Sequence, residues 1–314
     1  MKRIVTIIAL TLAVSLAAQG QHLGTEYRLK KVIEVEGRQG VAVDVNYYYV
    51  SDSKALYKYD KEGNLLLKNE KPFMHPENAN HFGDIDVFNG ELYCGLEKFE
   101  YGRGQNIAVS VYDAASLTWK REIAWEPASG QLEVSGLAVD RERNMVWMSD
   151  WVDSRYAYCY DLSTGKYYTK MQCRPTPYWC QGIFIADRKM LFAADDGESG
   201  YRIADNIYVA DISSLEQTGL KDGEQFALVD GQPVRRIGKV AAGAKAGRIQ
   251  LFREMSDFRR EGEIEGLSID PVNDDLIVLN NRGTTILYGM AQGPLAEEGY
   301  TREIHELYVY EKVR

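Results

Sequence analysis

Eight side chains, far apart in the sequence, carry the chemistry this chain offers. Glu265, Asp150, Asp195 and Asn280 are hard oxygen donors. Gathered at one point they would hold a divalent cation, calcium favoured over magnesium; no thiolate pair or paired His points to zinc. His81, Asp84, Glu133 and Arg282 are the acid–base candidates. An imidazole titrating near neutrality serves as a general base beside Asp84 and Asp86, Glu133 adds a further carboxyl, and Arg282 adds a fixed positive charge. The chemistry these residues suit is hydrolysis, with water activated by a bound ion or by a carboxylate. No G-x-S-x-G, Walker, H-E-x-x-H or dinucleotide motif occurs, so serine hydrolase, nucleotide, zincin and NAD chemistries lose their usual support.

Such scattered residues need a fold that gathers them, and an internal repeat supplies it. A Gly followed by alternating apolar residues recurs at Gly40, Gly83, Gly136, Gly182 and Gly266. Each copy continues, after a short polar turn, into a second apolar run, so the pair reads as a hairpin. A third run ends in an acid every time: Leu56 to Asp60, Val109 to Asp113, Ala157 to Asp161, Ile207 to Asp211 and Leu307 to Glu311. Tyr-x-Tyr-Asp is its commonest form, and 21 Tyr in 314 residues suit pleated, half-buried surfaces. The acid opens a turn. A fourth run follows in most copies, which makes four antiparallel strands repeated radially, an all-β propeller.

The last copy stops at Tyr310-Glu311 without a fourth strand, while Tyr27 to Val35 is an orphan strand before the first copy. Pairing the two closes the ring and removes its free edges. Five blades are expected, with six as the alternative because the fourth and fifth copies are widely spaced. Between Asp211 and Glu265 the single good strand is Val234 to Ala241. Residues 21–314 thus form one propeller domain.

This pattern resembles the secreted propellers of the gluconolactonase, NHL-repeat and phytase-like superfamily. Glu265-Gly266 before an apolar strand, with Asn280-Asn281 and Asp195 on other turns, is similar to the metal set of the gluconolactonase-like enzymes. Those enzymes carry the Glu-Gly on their first blade, whereas here it is on the last. The resemblance implies a metal-dependent lactonase or related hydrolase.

In a propeller the first strand of each blade lines the axis, and the hairpin returns to the end where it began. Residues before each repeated Gly and those ending each hairpin therefore meet at one rim. Gln39, His81, Glu133, Gln181 and Glu265 come from the first group, and Asp52, Glu97, Asp150, Asp195 and Asn280 from the second. An Asp or Asn at such a place also serves simply as a turn former. Converging carboxylates, however, repel unless a cation or raised pKa values relieve them. Three insertions leave the same rim: Lys98 to Gln105, Ala242 to Glu263 and Arg282 to Glu303. The cations of the last two suggest a basic lid over an acidic floor, suited to a small anionic or sugar-derived substrate. The same mouth would serve a non-catalytic propeller that binds a glycan, peptide or protein partner, or a metal-free glycosidase or lyase that uses paired carboxylates.

Lys2-Arg3, the apolar run Ile4 to Ala18 and the polar Gln19-Gly20-Gln21 read as a signal peptide over residues 1–20, hence a secreted or periplasmic chain with no transmembrane segment after cleavage. The net charge of −9 argues against nucleic acid. Export permits disulfides, and Cys173 and Cys180, flanking a Pro-rich connection, are the pair expected to bridge.

Overall fold

The structure is a computed structural model that describes residues 21–151, 153–198, 201, 203–213, 226–229, 232–235, 247–258, 262–283 and 302–313. The signal peptide expected over residues 1–20 therefore lies outside the described residues. Five four-stranded antiparallel sheets form a ring, a five-bladed β-propeller. Blade 1 comprises β2 (Gly40–Val43), β3 (Tyr47–Asp52), β4 (Ala55–Asp60) and β5 (Leu65–Asn69). Blade 2 comprises β6 (His81–Phe88), β7 (Glu91–Glu100), β8 (Arg103–Asp113) and β9 (Trp119–Ala124). Blade 3 comprises β10 (Gly136–Asp140), β11 (Met145–Ser149), β12 (Tyr156–Asp161) and β13 (Tyr167–Gln172).

Blade 4 consists of β14 (Cys180–Ala186), β15 (Lys189–Ala194), β16 (Asn206–Asp211) and β19 (Ile249–Glu254), with the hairpin β17 (Phe226–Val229) and β18 (Gln232–Arg235) inserted between the last two. The expected strand from Val234 overlaps only this hairpin, and its part beyond Arg235 lies outside the described residues. The true fourth strand, Ile249–Glu254, falls within the segment expected to be an insertion. Its alternation is weak because only Ile249 is buried, Phe252 is half-buried and Leu251 is exposed. Lys98 to Gln105 is likewise no separate loop, since β7 and β8 extend through it as one long hairpin. Blade 5 is β20 (Glu263–Ile269), β21 (Leu276–Arg282) and β22 (Ile304–Lys312), completed by β1 (Tyr27–Val35). Tyr27 pairs with Lys312 and Val35 with His305, so the expected closure between the two ends of the ring is present. Among the described residues no helix is long and apolar enough to cross a membrane.

The core is not one mass but five, each a wedge between neighbouring blades. The Tyr-x-Tyr strand explains how one sequence pattern fills two wedges. Tyr158 and Tyr160 pack between blades 2 and 3, while Cys159 between them packs between blades 3 and 4. Tyr308 and Tyr310 repeat this against blade 4, with Val309 turned toward blade 1. Period-two alternation serves both faces, since each sheet is buried on both sides. The second Tyr hydroxyl also ties down the connection that enters its own blade. Tyr112 donates to the Pro72 carbonyl at 3.1 Å, Tyr160 accepts from the Glu126 amide at 3.1 Å, and Tyr310 donates to Asp257 at 3.1 Å. In blade 1 the Glu36 amide donates to Tyr59 at 2.7 Å, and blade 4 has Ala210 at that position.

At the axis the repeated glycines show their purpose. A Cβ on Gly182 would come within 2.7 Å of the Gly266 Cα, and one on Gly266 within 2.7 Å of the Gly40 Cα. No side chain fits between strands that approach so closely. The hub is filled instead by Asp84. An irregularity in β6 between Phe82 and Ile85 turns this residue inward. Its carboxyl is fully buried and accepts from the amides of Ile85 at 2.8 Å and, two blades away, Ile183 at 3.1 Å. Burial pushes it well above the usual carboxylate range.

All four cysteines are free thiols, buried in the wedges, so the expected Cys173–Cys180 bridge is absent. Both pack as small apolar groups between blades 3 and 4. Burial pushes the Cys180 thiol up to about 12.

Candidate functional site

The starts of the first strands and the ends of the second strands meet at one rim, where hydrogen bonds run from blade to blade. His81 opens β6. Its Nδ1 lies 3.0 Å from Oε1 of the fully buried Glu97, and its Nε2 lies 3.1 Å from Oε1 of Gln39 on blade 1. Glu97 Oε2 accepts from the Val134 amide at 2.9 Å, which joins blades 2 and 3. The imidazole thus faces Glu97 and Gln39 rather than Asp84 and Asp86. Asp86 is taken by Arg141, at 2.6 Å, and by the Val139 amide. Asp84 is the hub, beneath the rim, so the expected pairing of His81 with these two acids is corrected.

Blades 4 and 5 supply a denser cluster. Glu263 accepts from Gln181 at 3.1 Å and lies 3.5 Å from Arg38. Two residues on, Glu265 accepts from Asn281 Nδ2 at 2.7 Å, and Asn281 is itself held by the Arg38 carbonyl and His305. Asp205 accepts from the amides of Gly197 at 2.9 Å and Ile264 at 3.0 Å. Asp195, also buried, leaves Oδ1 without a hydrogen-bond partner. Burial first, then their mutual charge, raises Asp195, Asp205 and Glu265, while Glu263 is raised by burial against the opposing pull of Arg38. Burial and the Arg38 charge together lower His305.

On blade 3, Glu133 accepts from the Trp151 amide. Asp150 Oδ1 accepts from the amides of Leu132 at 3.1 Å and Glu133 at 3.2 Å, and Oδ2 from the Tyr158 hydroxyl at 3.0 Å. Burial nevertheless raises Asp150 to about 7.

The structure therefore gathers only part of the expected metal quartet. Asp195 and Glu265 share a cluster, whereas Asp150 is committed to its own blade. Asn280 is fully buried, and neither atom of its amide has a partner. Among the described residues no three His, Cys, Asp or Glu are placed to share a metal ion. Arg282 is no open anion clamp either, since it lies 3.1 Å from Glu306 in a nearly buried pair. Of the lid cations, Arg253 pairs with Asp257 and Arg302 with Glu34, and Lys245, Arg259 and Arg260 lie outside the described residues. Glu263, Asp205 and Arg38 were not among the expected site residues. The Glu263-x-Glu265 spacing on one strand signals the first; nothing in the local sequence signals Asp205, which is drawn in by the backbone amides of Gly197 in a loop and Ile264 in β20.

No protein-family model matches the sequence, and no curated protein matches it. Among solved structures, a glutaminyl cyclase from Myxococcus xanthus is similar with a TM-score of 0.51 and 10% identity, covering 92% of this chain and 97% of that one. At that identity the likeness is one of fold, that of a β-propeller, and it assigns the chain no family.

Proposed function

We propose that this chain is an exported acid–base enzyme that acts at the rim on a small sugar-derived or amine-bearing substrate. One observation carries the reading: Asp195, Asp205 and Glu265 are buried together, with the half-buried Glu263 beside them and Asp195 Oδ1 unpartnered. Carboxyls crowded in this way cannot all ionise, so protonated and ionised members coexist near neutral pH. That is the arrangement of a general acid beside a general base. A substrate hydroxyl or ammonium would supply the donor that Asp195 Oδ1 lacks, and the Asn280 amide offers a further donor and acceptor. An anionic substrate draws less support, because Arg282, Arg253 and Arg302 are already paired with Glu306, Asp257 and Glu34. The expected calcium site does not fit the quartet proposed for it, and the acid–base reading needs none. The name of the Myxococcus protein adds glutaminyl peptides to the substrates worth trying.

The test is turnover by purified protein on a sugar lactone, a set of aryl glycosides and a glutaminyl peptide followed by ammonia release. One class should be converted. Asp195→Asn and Glu263→Gln should each reduce kcat by about 100-fold or more while the fold is retained. Added calcium should change neither rate nor melting. Failure to convert any of the three, or variants as active as the parent, would overturn the enzyme reading and leave a binding propeller.

A further inference from the structure

Outside the rim cluster, blades 3 and 4 border a cleft of about 500 Å³ whose lining combines Trp151, Tyr178 and Trp179 with Asp153, Arg155 and two prolines. One wall is Trp151 with the turn that follows it, and the other is the Pro175 to Trp179 connection. The Trp151 and Trp179 rings stack with centroids 6.0 Å apart and planes 21° apart, and Tyr178 meets Trp179 edge-on at 6.3 Å. These rings are not hidden: Tyr178 is 71% exposed and Trp179 44%. Most large aromatic side chains among the described residues fill the wedges, and Tyr101 and Tyr201 are exposed singly, so an open group of three beside a cavity calls for an explanation.

The backbone is held so as to display it. Trp179 has φ of +47° and Ser154, on the facing turn, +49°. A bulky side chain at positive φ is an outlier that persists only where its surroundings enforce it. The enforcing bonds are visible. The Ser154 hydroxyl donates to the Asp150 carbonyl at 2.9 Å and accepts from the Cys180 amide at 3.0 Å, stapling one wall to the other. The Trp179 carbonyl accepts from the Asp195 amide at 3.1 Å.

The polar groups narrow the ligand class. Trp151 Nε1 is buried without a hydrogen-bond partner, and Asp153 and Arg155 stand 3.5 Å apart at the cleft edge, both partly exposed. An acceptor and a planar donor side by side match the vicinal hydroxyls of a sugar ring. The flat aromatic faces match the C–H face of the same ring, which sheds water on stacking. We infer that this cleft is a carbohydrate-binding site in which one or two pyranose rings stack on Trp179 and Tyr178, with Asp153 and Arg155 holding their hydroxyls. It is separate from the acid cluster, and its occupancy is read by binding alone, whatever the rim does.

Affinity electrophoresis in gels containing xylan, laminarin, galactomannan, pullulan or hydroxyethylcellulose tests this directly. At least one should retard the wild-type protein. Against that polysaccharide Trp179→Ala and Tyr178→Ala should each bind about tenfold more weakly, equivalent to about 1.4 kcal/mol, and Trp179→Phe should recover part of the loss. Tyr178→Ala removes a ring that is largely in solvent, so it keeps the test valid if Trp179→Ala melts early. Absence of retardation in all five gels overturns the proposal. So do variants retarded like the parent, or a proline-rich peptide that binds the cleft in calorimetry while the polysaccharides do not.

Discussion

Asp150 shows what burial does to a single carboxyl. Two backbone amides and a Tyr hydroxyl serve its ionised form, yet burial outweighs them and raises it from 3.8 to about 7. A group raised in the folded state holds more protons there than in the unfolded chain, so its contribution to stability is present below pH 3.8 and lost as pH rises toward 7. Asp150→Asn keeps the acceptor for the amides and presents a neutral NH2 to Tyr158. Its melting temperature should match that of the parent near pH 4 and exceed it near pH 7. Parallel melting curves across that range would show that Asp150 does not titrate there. At this scale the sequence was partly legible. Spacing after the repeated Gly located Asp150, Asp195 and Glu97 at the rim, because hairpin length fixes which end of a blade a residue reaches. It did not say which of them share a cluster, since this depends on bulges, as in β20 between Ile264 and Leu267, that shift facing by one residue.

Among the elements, the third strand of each blade does the most. Its alternation was readable, and so was its terminal acid: Asp113 and Asp161 accept from amides of the turns that follow them. The link from its second Tyr to the incoming connection was not readable, because a hydroxyl's partner lies across the wedge and leaves no local pattern. Tyr160→Phe leaves ring packing intact and deprives the Glu126 amide of its acceptor. The expected cost is about 1 kcal/mol in urea unfolding with an unchanged slope. A cost near zero would mean that water replaces the hydroxyl. The fourth strand of blade 4 escaped the sequence reading for the opposite reason: Ile249–Glu254 is an outer strand, exposed on much of its surface, and so under little pressure to alternate.

For the whole molecule, the ring depends on a strand from the opposite end of the chain. β1 contributes a long ladder to β22, interrupted once between Leu29 and Lys31, and part of the blade 4 to blade 5 wedge through Tyr27. Deleting residues 27–35 should remove several kcal/mol from a stability that in ordinary domains is about 5–15 kcal/mol. The loss should appear as early melting and as proteolysis within blade 5. A synthetic peptide of residues 21–36 added in trans should restore part of it. Melting unchanged by the deletion would mean that closure adds nothing. Closure was predictable because strand counting is a bookkeeping of edges, and a three-stranded last blade with an orphan first strand leaves one solution.

The carboxyl of Asp84 makes the ring a cup rather than a tube. Fully buried, it fills the axis where Gly40, Gly182 and Gly266 pack against one another and against it. Whatever reaches the rim would arrive and depart through the same mouth, so under the proposed function product and incoming substrate would compete for one doorway. If the rim is the proposed acid–base site, its protons would be exchanged from that side alone, and a ligand in the neighbouring aromatic cleft would stand at the door.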